Sequence, residues 1–98
     1  VVHHDDLLYL FNVSFFPRFE DNAPEISTVE RETAMWANFA KTGEPIPKDN
    51  KLFENVNWTK FTLNNNAYLD IDNELTMKTG LNTERMQLWE KLFPLGSE

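Results

Sequence analysis

Val1-Val2-His3-His4-Asp5-Asp6-Leu7-Leu8-Tyr9-Leu10-Phe11 opens the chain and decides how the rest is read. His3 and His4 are the only histidines among 98 residues. Two carboxylates follow them, suited to the first turn of a short helix, where negative charge favours the positive end of the dipole. Leu7 to Phe11 then form a nearly all-apolar run. It is too dense for a helix facing water, because exposed apolar area is unfavourable by ~25 cal/mol per Å². The run has to be buried, and by more protein than this chain easily supplies. A neutral imidazole titrates near pH ~6.5, so it can take a proton from a serine hydroxyl and return it to a leaving alkoxide. The serines here are Ser14, Ser27 and Ser97, and none lies in a Gly-x-Ser-x-Gly elbow. A histidine base without a nucleophile reads as one part of a catalytic apparatus, the remainder being on polypeptide outside this chain.

Metal binding is the weaker reading of the pair. Adjacent side chains point in different directions, and the i, i+4 spacing of helical histidine ligands is missing. No cofactor is expected. Two histidines on a frayed, solvated terminus are the plain alternative, and an affinity-tag remnant is disfavoured by the acidic and apolar residues that follow at once.

Composition narrows the classes. An apolar fraction of 41% and a charged fraction of 26% are globular values, consistent with a single domain at most. Sixteen acidic against nine basic residues give a net charge of −7, which repels phosphate backbones and disfavours nucleic-acid binding. No stretch approaches the ~20 apolar residues of a membrane span. The start carries neither an initiator Met nor a signal-like core, and it reads as a cleaved or truncated piece. Cysteine is absent, which excludes intrachain disulfides and thiolate metal sites without fixing the compartment. The sequons at Asn12 and Asn57 carry little weight.

Along the chain, Pro17 and Pro24 bracket a loop. Ser27-Thr28-Val29-Glu30 reads as a capping box, opening a helix from Ser27 to Lys41. Its expected apolar face is Val29, Thr33, Trp36 and Ala40, widened by Met35 and Phe39. Gly43 is its natural stop, with Pro45 and Pro47 beyond. Lys48 to Asn57 is expected as polar loop, Trp58 to Leu63 as a short irregular strand, and Asn64-Asn65-Asn66 as a turn. Ala67 to Ile71 alternates as a strand, with Tyr68 and Asp70 on one face and Leu69 and Ile71 on the other. Leu75 to Lys78 is its hairpin partner. A last helix, capped by Asn82 or Thr83, buries Met86, Leu88, Trp89, Leu92 and Phe93, and Pro94 and Gly96 end it.

These segments carry a resemblance. His3-His4-Asp5-Asp6-Leu7-Leu8-Tyr9-Leu10-Phe11 resembles the histidine motif of type-B carboxylesterases, the cholinesterase-like branch of the α/β-hydrolase fold. That motif runs roughly Gly-x-x-His-x-x-Glu/Asp-Leu/Ile-x-Tyr/Phe-Leu/Val-Phe. The register puts the motif histidine at His3 and the acidic position at Asp6, while His4 fills a slot where the family usually has a small residue. Trp36-Ala37-Asn38-Phe39-Ala40-Lys41-Thr42-Gly43-Glu44-Pro45 is similar to the family's Trp-x-Asn-Phe-Ala-x-x-Gly-x-Pro segment. Trp58, the strand at Tyr68 to Ile71 and the helix at Arg85 to Trp89 follow in family order, so the likeness covers essentially the whole chain. Within that family the chain most resembles the detoxifying carboxylesterases of insects. Cholinesterases have a disulfide cysteine in the last helix where this chain has Met86, and the serine elbow and oxyanion loop of the family are absent.

The resemblance implies that residues 1–98 are the C-terminal segment of one α/β-hydrolase domain, helices plus edge strands, incomplete without the upstream chain. It implies ester hydrolysis by a Ser-His-Glu/Asp triad in which this segment supplies the catalytic His3, with xenobiotic or insecticide detoxification as the role. The partners implied are the remainder of the esterase, carrying the serine, the acid and the oxyanion hole, and a small-molecule ester. Localisation stays open between cytoplasm and secretion, with the cytoplasm preferred. Two other readings stand beside it: a non-catalytic relative of the same fold that binds ligands or mediates adhesion, and a free-standing acidic interaction domain.

Overall fold

The computed structural model describes residues 1–48 and 51–94. Three helices and one β-hairpin make up the regular structure: α1 (Leu7–Leu10), α2 (Glu25–Thr42), β1 (Ala67–Ile71), β2 (Leu75–Thr79) and α3 (Thr83–Leu92). Helix α2 starts two residues before the expected capping box. Pro24, with φ −60° and no N–H to satisfy, initiates it. Ser27 consequently lies inside the helix on an exposed face and caps nothing. The far end is as expected: Gly43 adopts φ 77° and donates its N–H to Phe39 O at 2.8 Å. That left-handed conformation costs other residues about 1–2 kcal/mol, so Gly43→Ala is expected to destabilise the folded protein by about that amount in a denaturant titration.

The hairpin also follows the sequence reading. Its strands are antiparallel, with Leu69 opposite Met77 and Ile71 opposite Leu75, and Lys78 bridges diagonally to Asp70. Leu69 and Ile71 face the core. The expected strand from Trp58 to Leu63 does not form. No third strand pairs with the hairpin among the described residues, and an extended segment without a ladder partner stays irregular. Asn65 organises the turn that follows. Its side chain accepts the N–H groups of Thr62 and Ala67 at 2.9 and 3.0 Å, and donates to Lys60 O at 3.0 Å.

The core is small: Met35 from α2, Phe53 and Leu75 are buried, with Ala34, Ile46, Val56, Trp58, Leu69 and Ile71 packed against them. Phe53 sits in a 3-10 turn (Lys51–Phe53) within the stretch expected as polar loop. Arg31 clamps this turn and the hairpin onto α2. Its guanidinium donates to Leu52 O at 3.0 Å, Asn73 O at 2.8 Å and Glu54 Oε1 at 2.6 Å. Thr28 adds a hydroxyl donor to Asp72 O at 3.3 Å. Replacing Arg31 by Met strands two carbonyls and a carboxylate, and is expected to cost about 1–3 kcal/mol in chemical denaturation.

The largest departure is which apolar faces are covered. The buried stripe of α2 is Thr28, Glu32 and Met35; of the expected face Met35 alone is buried, and Val29, Thr33, Trp36, Phe39 and Ala40 are not. Trp36 and Phe39 are exposed and line an open groove with Trp58 and Phe61. Helix α3 buries none of its residues; Met86, Leu88, Trp89, Leu92 and the following Phe93 all face outward, and Trp89 is 57% exposed. Its start is held by Thr83, whose hydroxyl donates to Gly80 O at 2.8 Å, rather than by a side-chain cap. The reason is shared: hydrophobic spacing marks a face that needs covering, and the described residues do not supply the cover. Pro94 follows α3, whereas Gly96 and Ser97 lie outside the described residues. No helix among those described is long and apolar enough to cross a membrane.

Candidate active-site segment

Residues 3–6 form a tight turn that leads into α1. Its backbone is held by Asp5 N–H to Val2 O at 3.2 Å and Leu7 N–H to His4 O at 3.1 Å. The Asp5 carboxylate accepts the Val2 N–H at 2.7 Å, so this acid stabilises the turn instead of capping the helix. Asp6 occupies the N-cap position without a side-chain cap bond, and α1 is a single turn closed by Phe11 N–H to Leu7 O. The dense apolar run is therefore only half-covered, with Phe11 exposed.

His3 projects from this turn into solvent. It makes no hydrogen bond or ion pair among the described residues, and its one ring contact is with His4, centroids 3.8 Å apart and tilted by 34°. His4 has φ 73°, in the left-handed region that strains residues with a Cβ. A small residue suits such a slot better, so His4 sits there under backbone strain. Ser14 and Ser27 are exposed and neither bonds to His3. No group of three or more histidine or acidic side chains that could hold a metal ion occurs among the described residues.

Sequence reading missed Glu32. It is 4% exposed, and its Oε1 has no hydrogen-bond partner. Burial first, and the nearby Asp6 carboxylate second, push its pKa up from the ordinary 4.5 to about 7. Tyr9 is also raised, by burial and by the surrounding acids, led by Glu25 and Glu32. The missed signal was the stripe Thr28–Glu32–Met35 at i, i+4, i+7, which places a carboxylate between two core-facing residues. Because the folded pKa lies above the unfolded one, the stabilisation is complete below about pH 4.5 and is lost as pH rises through about 7. Glu32→Gln is expected to flatten the stability–pH curve over that window in urea titrations.

Residues 1–89 match the model of the carboxylesterase family, and the chain belongs to that family. Membership implies an α/β-hydrolase fold, to which these three helices and two strands contribute. Bile salt-activated lipase of Bos taurus is 31% identical over 94 residues, covering 93% of this chain and 15% of that protein. Neuroligin-2 of Homo sapiens is 32% identical over 109 residues, covering 94% of the chain and 13% of that protein. Acetylcholinesterase of Danio rerio is 27% identical over 96 residues, covering 96% and 15%. The chain thus spans only about 15% of the length of such relatives. No solved structure matches it.

Proposed function

We propose that residues 1–98 are the C-terminal segment of a serine carboxylesterase and that His3 is its catalytic base and acid. The observation that carries this reading is the family match over residues 1–89, which takes in the exposed turn where His3 has no hydrogen-bond or ion-pair partner among the described residues. In the full-length protein, His3 removes the proton from a serine hydroxyl supplied upstream as the oxygen attacks the ester carbonyl. Backbone N–H groups upstream stabilise the oxyanion, and an upstream acid orients the imidazole. His3 then protonates the departing alcohol and deprotonates water, which hydrolyses the acyl-enzyme. The uncovered groove at Trp36, Phe39, Trp58 and Phe61 and the outward face of α3 are where the rest of the domain packs.

The substrate class in this reading is a small carboxylic ester. The insect detoxifying subtype expected from the sequence has no support from the lipase, neuroligin and acetylcholinesterase relatives, and the reading stops short of it. A second reading, a non-catalytic binding or adhesion protein, is favoured by one observation: neuroligin-2, whose name carries no hydrolase activity, is as similar as the lipase. Hydrolysis of a 4-nitrophenyl ester separates the two. The full-length protein is expected to turn it over and residues 1–98 alone are not; a folded full-length protein without turnover favours the second reading.

A further inference from the structure

Glu32 lies where α2 is covered by the segment that carries the histidine turn. It is almost completely buried, one carboxyl oxygen is unpartnered, and the first neighbour that acts on it electrostatically is Asp6, the residue opening α1. The other titratable groups around this contact are also acidic or phenolic: Asp5 and Tyr9 from the first segment, Glu25 from α2 and Asp72 from the hairpin turn. Arg31, next to Glu32 in sequence, commits its guanidinium to Glu54 and two carbonyls. Among the described residues, no cation therefore compensates an ionised Glu32. A charge left without a partner in such a place is relieved by protonation or by movement.

We propose that Glu32 is a positioning residue for His3: with its carboxyl protonated, α1 seats on α2 and fixes the histidine turn, and with it ionised, burial and repulsion from Asp6 lift α1 away and displace His3. The inference rests on the reading of His3 as the catalytic base. The movable element is short. Helix α1 is one turn, and the turn before it is held by three local backbone and carboxylate contacts. His3 lies three residues before Asp6, so a shift at the mouth of α1 is transmitted to the imidazole directly. The raised pKa of Glu32, about 7, places the change near neutral pH.

The test uses full-length wild type and Glu32→Gln, which keeps the shape of the neutral carboxyl. Amide hydrogen exchange of residues 5–11 is compared between the two at matched pH, alongside kcat and KM for a 4-nitrophenyl ester from about pH 6 to about pH 9. Wild type is expected to lose protection in residues 5–11 above neutrality and to lose kcat by up to about tenfold per pH unit, the slope of one ionisation, with KM little changed. Glu32→Gln is expected to keep both. Asp6→Asn, a second variant, removes a like charge that raises the Glu32 carboxyl and should move the wild-type transition to lower pH. Identical exchange in wild type and Glu32→Gln across the range overturns the latch, and it does so whatever His3 does, because exchange needs no turnover. PH-dependent exchange with an unchanged kcat profile overturns the positioning role. A fully active His3→Ala enzyme instead removes the catalytic reading and leaves the exchange result to stand by itself.

Discussion

Replacing His3 with alanine in the full-length protein is expected to lower kcat for ester hydrolysis by about four to six orders of magnitude. Serine hydroxyls are poor nucleophiles until a base takes their proton, and the same imidazole must protonate the departing alcohol, so one substitution disables both half-reactions. Residual turnover comes from the oxyanion hole and substrate binding, which His3 does not provide. KM is expected to change little, because the imidazole contributes to the transition state and not to holding the ester. His4→Gly is the matched control. His4 occupies a left-handed conformation at φ 73°, which glycine adopts freely, so the turn survives and the loss stays below about tenfold. Steady-state kinetics on the two variants decide the register. Equal losses, or a larger loss at His4, contradict the assignment of His3.

The second large effect is on stability. Phe53→Ala is expected to destabilise the protein by about 3–5 kcal/mol, read as a shift in the midpoint of a denaturant titration. Phe53 is 0% exposed and fills the space between Met35 on α2 and Leu75 on the hairpin, so its removal opens a cavity at the centre of a core with few other members. Against a typical total of about 5–15 kcal/mol, that loss is large. A cost below about 1 kcal/mol would mean that the packing of the hairpin on α2 lies elsewhere.

Local rules made the helices and the hairpin legible. Gly43 marked the end of α2, Asn64 to Asn66 marked a turn, and the alternation of Ala67 to Ile71 set both strand and facing. The capping box misled because Pro24 satisfies the start of α2 earlier, and a Ser–Glu pair at three-residue spacing fits equally well inside a helix. Phe53 was hidden in a polar stretch, where one aromatic residue anchors the turn through contacts distant in sequence. The aromatic faces around Trp36 and Trp89 were read correctly as apolar and wrongly as buried, since periodicity reports what a face needs and not whether this chain covers it. Glu32 was overlooked for the opposite reason: a carboxylate is counted as solvent-facing unless its neighbours at i−4 and i+3 are checked first.

As for the site, the histidine turn was visible as residues and as a family likeness. Its geometry was not. That His3 makes no hydrogen bond among the described residues, that His4 is left-handed, and that Asp5 holds the turn while Asp6 acts electrostatically on Glu32 all depend on backbone conformation that composition and spacing do not encode.

The central claim, that this segment completes a serine hydrolase, is tested most directly by the rate of fluorophosphonate labelling of the full-length protein and of its His3→Ala variant, followed by intact mass. The account predicts one label per wild-type chain, attached upstream of residues 1–98, and a labelling rate lower by at least about a thousandfold in the variant, because phosphonylation needs the same activated serine. A folded wild-type protein that takes no label, or a variant labelled at the wild-type rate, would contradict it.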